Sequence, residues 1–201
     1  MPRNVYTPVR DGFVQDSYFD QMATAAIGQL ANASDHNLVD SFAVGAVGDD
    51  GLIAGVGVVS EVIANVVRAG INQYAVNYPA AGATADLLAG ILVRNEQMGT
   101  NTAGDPCWFE GDMCNALRPI RVGGRIWLAL SNGASAADAN AFWIISDTTN
   151  HGKQIGSFSA VALGADTVEI PWLKFRGVFT APSAGMVAAL AEFVVNTAYQ
   201  Q

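Results

Sequence analysis

The segment from residue 152 to residue 195 constrains the fold of this chain most strongly. Ser157–Leu163 alternates small or polar with apolar side chains, Thr167–Ile170 alternates again up to Pro171, and the last stretch, Met186–Val195, is apolar apart from Glu192. Gly, Pro or Asp interrupts the pattern about every 8–12 residues. Two-residue periodicity with regular breaks is typical of an all-β sandwich or barrel.

Similar patterns predict strands further toward the N-terminus. The candidates are Val39–Val44, Val122–Leu130 and Phe142–Ile145, and Asp86–Arg94 leads into a further strand. No repeat of fixed period and no linker rich in Pro, Gly or Ser divides the chain. Glycines at alternate positions, Gly55 and Gly57, indicate a bulge or the close approach of another backbone.

Two segments remain ambiguous at the level of sequence. In Ser60–Gly70 a serine at the N-cap position and a glycine at the C′ position favour a helix. Three valines and an isoleucine within it favour a strand. Ala23–Ala33 fits a helical turn or two, or a first strand region.

Residues 1–22 are polar and acidic, with scattered aromatic side chains. We predict that they form an extended arm that docking orders, with Tyr6, Phe13 and Tyr18 as candidate contacts. Residues 23–201 then form one β-rich domain. The predicted fold class is mainly β, a sandwich or barrel-like domain of jelly-roll type, with at most one or two short helices.

The composition favours assembly and disfavours two classes of partner. Charged residues make up only 14% of the chain, against about 25% in typical soluble proteins. The only lysines are Lys153 and Lys174, and lysine is depleted at protein interfaces. A net charge of −8 disfavours nucleic-acid binding. The apolar stretch Leu52–Val67 falls short of the roughly 20 residues of a membrane span, and the N-terminus lacks the apolar region of a signal peptide.

No pattern of residues indicates catalysis, a cofactor or a metal. His36 and His151 lie in loop-like sequence, and no Gly-x-Ser-x-Gly or phosphate-binding glycine motif occurs. Cys107 and Cys114 do not have the spacing of a zinc site. They are interpreted as two partly buried free thiols or a pair spanning a hairpin, with a redox or metal role as the less favoured alternative.

Four further residues are candidate interface residues. Arg118, Arg121 and Arg125 form a basic cluster that could bind carboxylates, and an acidic arm is their favoured partner. Trp172 follows Pro171 and is expected to be the most exposed tryptophan, suited to anchor an interface.

The order of these segments resembles the head decoration, or structural cement, proteins of tailed bacteriophages. The similarity covers most of residues 38–195 and rests on four small-residue β segments after a polar arm: Phe42–Val47, Ala89–Arg94, Gly124–Ala129 and Gly185–Phe193. It implies a β-rich virion protein that binds the outside of the head after the shell forms.

This resemblance implies a structural function without catalytic residues. The expected partners are the major capsid protein and further copies of the chain, as a homodimer or homotrimer. We expect assembly in the host cytoplasm and a final location on the outer capsid surface, where the protein would cement neighbouring capsid subunits. The alternatives are another virion structural protein, such as a tail or fibre subunit, or a carbohydrate-binding jelly-roll module.

Overall fold

The computed structural model describes residues 25–31, 37–68, 71–95, 98–119, 122–149 and 151–194. These residues form thirteen strands: β1 (Val39–Val44), β2 (Leu52–Ile53), β3 (Gly57–Arg68), β4 (Ile71–Asn77), β5 (Gly90–Val93), β6 (Gly99–Thr100), β7 (Pro106–Trp108), β8 (Met113–Leu117), β9 (Arg125–Asn132), β10 (Asn140–Ile144), β11 (Phe158–Ser159), β12 (Thr167–Phe175) and β13 (Val187–Phe193). Two 3₁₀ turns, Ala85–Leu87 and Gly164–Asp166, are the helical elements of this part of the chain.

Ten of the strands form two closed barrels. The first barrel has the ring order β1-β4-β3-β5-β8, and the second barrel has the ring order β10-β11-β9-β13-β12. The other strands make a small sheet, β2-β7-β6. Strand direction cannot alternate all the way round a ring with an odd number of strands, so each barrel needs a parallel pair. These pairs are β1 with β4 and β11 with β9.

The core lies in two apolar clusters that meet at β5. All four residues of β5 are buried, because the strand has buried surfaces on both faces. Leu92 packs into a cluster with Phe42, Val76 and other first-barrel residues, whereas Ile91 packs into a larger cluster with the second-barrel core. A strand buried on both faces is a continuous apolar run, which explains the sequence Gly-Ile-Leu-Val at this position.

Glycines lie at the junction of the two barrels, where larger side chains would not fit. The Gly57 N–H donates to Gly156 O (2.8 Å), and the Trp143 indole N–H donates to Gly57 O (3.3 Å). A Cβ on Gly57 would lie 2.6 Å from Trp143 Nε1, and one on Gly55 would lie 3.1 Å from Ala129 N. The predicted close approach of another backbone is therefore confirmed, and it joins the two barrels.

The mainly β, barrel-like fold with at most two short helices is confirmed, although each barrel is a smaller unit than a jelly roll. In the ambiguous segment Ser60–Gly70, the described residues 60–68 belong to β3, so the β-branched residues outweigh the helix-capping signals. In the described part of Ala23–Ala33, a turn at residues 27–28 precedes an isolated bridge between Leu30 and Ile126. Neither a helix nor a full strand forms there.

Pro171 does not end its strand, and Trp172 is not exposed. β12 continues through a bulge: Ala141 of β10 pairs with Ile170, but the next pair is Asn140 with Lys174. Pro171 therefore has no partner residue on β10, and its missing N–H is tolerated. The two-residue alternation breaks only at Leu173, which is also buried. Trp172 therefore lies on the same face as the buried Ile170, with Pro171 on the exposed face between them, and it is only 9% exposed. The expectation of an exposed Trp172 is wrong for this reason.

Candidate functional site

The chain segment 25–31 is attached to both barrels at their junction. The Gly28 N–H donates to Trp127 O of β9 (2.6 Å), and the Trp127 N–H donates to Gln29 O (2.9 Å). On its other side the Gly28 carbonyl accepts from Arg94 N, just after β5 (2.8 Å). Gly28 has a φ of +80°, and a Cβ there would lie 2.7 Å from the Cβ of Ala54. Glycine is therefore required, and the segment that follows the predicted arm is fixed at the junction.

A cavity of about 660 Å³ lies beside this segment. Such a volume is within the usual range of ligand pockets. Arg94 is the one charged residue among the described residues around it. The others are small, apolar or uncharged polar residues: Ala26, Gln29, Leu30, Val93, Asn95, Met98, Gly99, Thr100 and Pro106.

A chain of ion pairs crosses the surface of the second barrel. Glu192 on β13 accepts from Arg125 Nε (2.6 Å) and from Arg176 Nε (3.1 Å), and Arg176 also pairs with Asp138. Burial opposes ionisation of Glu192, but the hydrogen bonds from the two arginines outweigh it. They hold the pKa of Glu192 below its ordinary value.

Arg118 belongs to a separate ion pair on the first barrel. Its Nη1 lies 2.9 Å from Asp40 Oδ2, and its guanidinium carbon lies 5.5 Å from the centre of the Phe42 ring. This is the distance of a cation–π contact. Both contacts orient Arg118 along β1.

The predicted basic cluster thus separates into two networks at either end of the connection between the barrels. Arg118 and Arg125 each bind a carboxylate of the β-rich domain. Arg121 lies outside the described residues, as do the arm candidates Tyr6, Phe13 and Tyr18. The arm as the binding partner of these arginines stays a prediction.

The buried carboxylate of Asp166 is a feature that sequence reasoning missed. Its Oδ1 accepts from Ser146 Oγ (2.6 Å), Thr148 N (3.0 Å) and Thr148 Oγ1 (2.6 Å). Its Oδ2 accepts from Thr149 N (3.1 Å) and from the Thr149 hydroxyl. The hydrogen bonds from Ser146, Thr148 and Thr149 hold the pKa of Asp166 far below its ordinary value. Such a weak base is suited to fixing a loop, not to accepting a proton.

The run Ser146-Asp147-Thr148-Thr149 was the available signal for this site. Hydroxyl-bearing residues in a loop often bond a nearby carboxylate or backbone group. The partner, Asp166, lies in the second 3₁₀ turn, and only the fold brings it to the loop.

The two thiols are free and buried, in different sheets. Burial raises the pKa of the Cys107 thiol, and it raises that of Cys114 to about 12. A thiol with a raised pKa is protonated and unreactive at neutral pH. The free-thiol interpretation is therefore confirmed, although both side chains are fully buried, whereas partial burial was predicted.

The described residues offer neither a metal site nor a membrane-spanning helix. They contain no group of three His, Cys, Asp or Glu side chains placed to hold a metal ion. Nor does this part of the chain contain a helix long and apolar enough to cross a membrane.

The chain matches the family model described as structural cement protein (E217 gp24/Pam3 gp6) over residues 14–196. Among solved structures, a chain in the capsid of Myoviridae phage XM1 is similar to it, with 19% sequence identity and a TM-score of 0.55. The similarity covers 90% of this chain and 97% of that chain, and it shows a shared fold. No curated protein matches the sequence.

Because the family model covers most of its length, the chain belongs to the structural cement proteins of bacteriophages. It is a capsid-stabilising component of the virion. The resemblance drawn from the order of its β segments is thereby confirmed.

Proposed function

We propose that this protein binds the outer surface of the phage head and bridges neighbouring copies of the major capsid protein. The observation that carries the proposal is the junction of the two barrels. A continuous apolar cluster, backbone hydrogen bonds and closely packed glycines join the barrels into one body. A bridge between subunits must resist relative movement, and a close-packed interior transmits strain.

We also propose that the protein acts by contact and not by catalysis. Among the described residues, the titratable groups with clearly shifted pKa values have structural partners or are buried thiols. Tyr78, for example, has a pKa raised to about 12 by burial, and its hydroxyl donates to Gly51 O (2.8 Å). Such groups do not exchange protons near neutral pH.

The burial of tryptophan disfavours the carbohydrate-binding alternative. Sugar binding by stacking needs an exposed aromatic face. Trp108, Trp143 and Trp172 are buried, and the half-buried Trp127 packs edge-on against Phe179 with 5.8 Å between ring centres. None of the four tryptophans of the chain is available as an open stacking platform.

The experiment that tests the bridging function is addition of the purified protein to expanded heads that lack it. We expect saturable, stoichiometric binding and a higher temperature of head disruption. Unexpanded heads, whose surface subunits are arranged differently, serve as the control. Failure to bind expanded heads, or binding without any gain in heat resistance, would contradict the proposal.

Self-association and the arm belong to the same proposal. We expect the chain to form a homodimer or homotrimer in solution, which light scattering after gel filtration measures directly. Residues 1–22 are proposed to reach a neighbouring subunit through Tyr6, Phe13 and Tyr18, with Arg121 as a partner of arm carboxylates. Full head binding by a chain lacking residues 1–22, or by Arg121→Glu, would remove the arm or Arg121 respectively from the mechanism.

A further inference from the structure

The two barrels have the same topology. If the strands of each barrel are numbered along the chain, β1, β3, β4, β5 and β8 correspond to β9, β10, β11, β12 and β13. Both rings then have the order one, three, two, four, five. The parallel pair joins strands one and three in both, and every other neighbouring pair is antiparallel.

The connections between the strands also correspond. A 3₁₀ turn lies between strands three and four of each barrel, Ala85–Leu87 in the first and Gly164–Asp166 in the second. In both barrels the connection from strand one to strand two pairs with the connection from strand four to strand five. In the first barrel this pairing is β2 with β7, and in the second it is the isolated bridge between Ala134 and Thr180.

An ion pair links strands one and five at the same end of each barrel. In the first barrel Asp40 near the start of β1 binds Arg118, directly after β8. In the second barrel Arg125 at the start of β9 binds Glu192 near the end of β13. The charges are exchanged, but the position is the same.

Such agreement is not expected of two unrelated barrels. Five strands can follow one another around a closed ring in roughly ten different ways, even before the parallel pair is chosen. The rules for connections between strands reduce this number. Here the order, the parallel pair, the 3₁₀ turn and the paired connections all agree. The chain is therefore built as a tandem pair of one five-stranded unit.

We infer that each unit contacts one copy of the same capsid subunit, so that one molecule binds two copies through equivalent surfaces. This step rests on the proposed function. The contact surface is the connection between strands three and four. It carries Leu87 (52% exposed) in the first unit and Val161 (46% exposed) in the second. Among the described residues, it is the only connection with an exposed large apolar side chain in both units.

A single exposed apolar residue is ordinary on a protein surface. Leu87 ends the 3₁₀ turn of the first unit, and Val161 lies three residues before the 3₁₀ turn of the second. The recurrence of an exposed apolar side chain in the same connection of two equivalent units is the observation that indicates a repeated contact. The repeated units imply a repeated partner, and a phage head presents many copies of one subunit side by side. Two linked weak contacts bind far more tightly than either alone because the second becomes intramolecular.

The test measures the affinity of Leu87→Asn, Val161→Asn and the double variant for expanded heads that lack the protein. We expect each single change to weaken binding about tenfold and the double change about a hundredfold, because linked sites multiply. Val178→Asn, at the more exposed Val178 (76%) in the connection between strands four and five, is the matched control and is expected to bind as the parent does. Unfolding temperatures within experimental error of the parent show that all variants fold.

The outcomes separate this inference from the proposed function. If the parent binds but the double variant binds equally well, or only one of the two positions matters, the two-contact inference is wrong while the bridging function stands. If the parent itself does not bind, both are wrong. A loss of affinity for the heads in both single variants, a larger loss in the double variant and no loss in Val178→Asn support the inference.

Discussion

The first and second barrels share one topology but stabilise their connections differently. In the first, the connections around β2, β6 and β7 form an additional sheet over the barrel, with the side chains of Leu52, Cys107 and Trp108 buried. In the second, the corresponding connections meet at the isolated bridge between Ala134 and Thr180 and in hydrogen bonds such as Ser135 N–H to Phe179 O (2.8 Å). The 146–149 loop is tied to the buried Asp166. The connections of the same ring of strands can therefore be stabilised either by buried apolar side chains or by hydrogen bonds to a buried carboxylate.

The packing between the two barrels also couples their stability. The outer face of β5 in the first barrel belongs to the same apolar cluster as the interior of the second barrel. The first barrel thus has a wall that would be exposed without its neighbour. We expect the barrels to unfold together.

The largest effect is expected from removing a buried indole, either Trp143 of the second barrel or Trp108 of the additional sheet over the first. Trp143→Ala and Trp108→Ala should each lower the free energy of unfolding by about 3–5 kcal/mol, because both side chains are at most 1% exposed. Denaturant unfolding followed by fluorescence and by circular dichroism measures the effect. A single transition is expected in both variants, and two separate transitions in either would contradict the shared core.

The next largest effect is expected at Asp166, in the second barrel only. Asp166→Ala leaves the donors of Ser146, Thr148 and Thr149 without their acceptor and should lower the melting temperature by several degrees. Asp147→Ala, which removes an acceptor of two exposed loop N–H groups, is the matched control with a smaller effect. Equal melting temperatures for the two variants would contradict the role of Asp166.

Acid should weaken the parent partly through the same carboxylate. The pKa of Asp166 is lower in the folded chain than in the unfolded chain, so its contribution to stability is complete above the unfolded pKa, about 3.9. That contribution is lost progressively as the pH falls below this value. Melting temperatures between pH 7 and pH 2 should therefore decline less steeply for Asp166→Ala than for the parent.

The ion pairs between strands one and five allow a smaller, direct comparison of the barrels. Glu192→Gln should cost about 1 kcal/mol, because Glu192 is largely buried between two arginines. Asp40→Asn should cost at most about 0.5 kcal/mol, because nearly half of the Asp40 side chain is exposed to solvent. The depressed pKa of Glu192 adds stability that is lost as the pH falls below its unfolded value. A larger cost for Asp40→Asn would reverse this ranking.

Thiol labelling reports the opening of the first half of the molecule without any substitution. Cys107 and Cys114 are the only cysteines, and both belong to the first barrel and its additional sheet. We expect a disulfide reagent at neutral pH to modify them at the rate of global unfolding, because both are buried with raised pKa values. Labelling much faster than unfolding would show that the first barrel opens alone.

The sequence predicted the type of fold because strand patterning is local. Val39–Val44 matches β1 at both ends, and β9, β10 and β13 fall within or near their predicted segments. Pro171 was misjudged because a bulge depends on the register with β10, which the local pattern does not contain. Trp172 was misjudged with it, because a strand that continues through Pro171 places Trp172 on the same face as the buried Ile170.

The tandem units could not be recognised from the sequence. Their connections differ in length, and their ion pairs exchange charges between strands one and five. The buried site of Asp166 was missed because its donors lie in a loop distant in sequence. What the two barrels share is ring order, which only the three-dimensional structure shows.

A cryo-electron microscopy map of expanded heads saturated with the protein tests the central claim most directly. The prediction is that each chain lies across two neighbouring capsid subunits, with the first barrel on one and the second barrel on the other. The connections that carry Leu87 and Val161 should contact the same region of each subunit. A map in which one barrel makes all the contacts, or in which the two barrels contact unrelated regions, would contradict it.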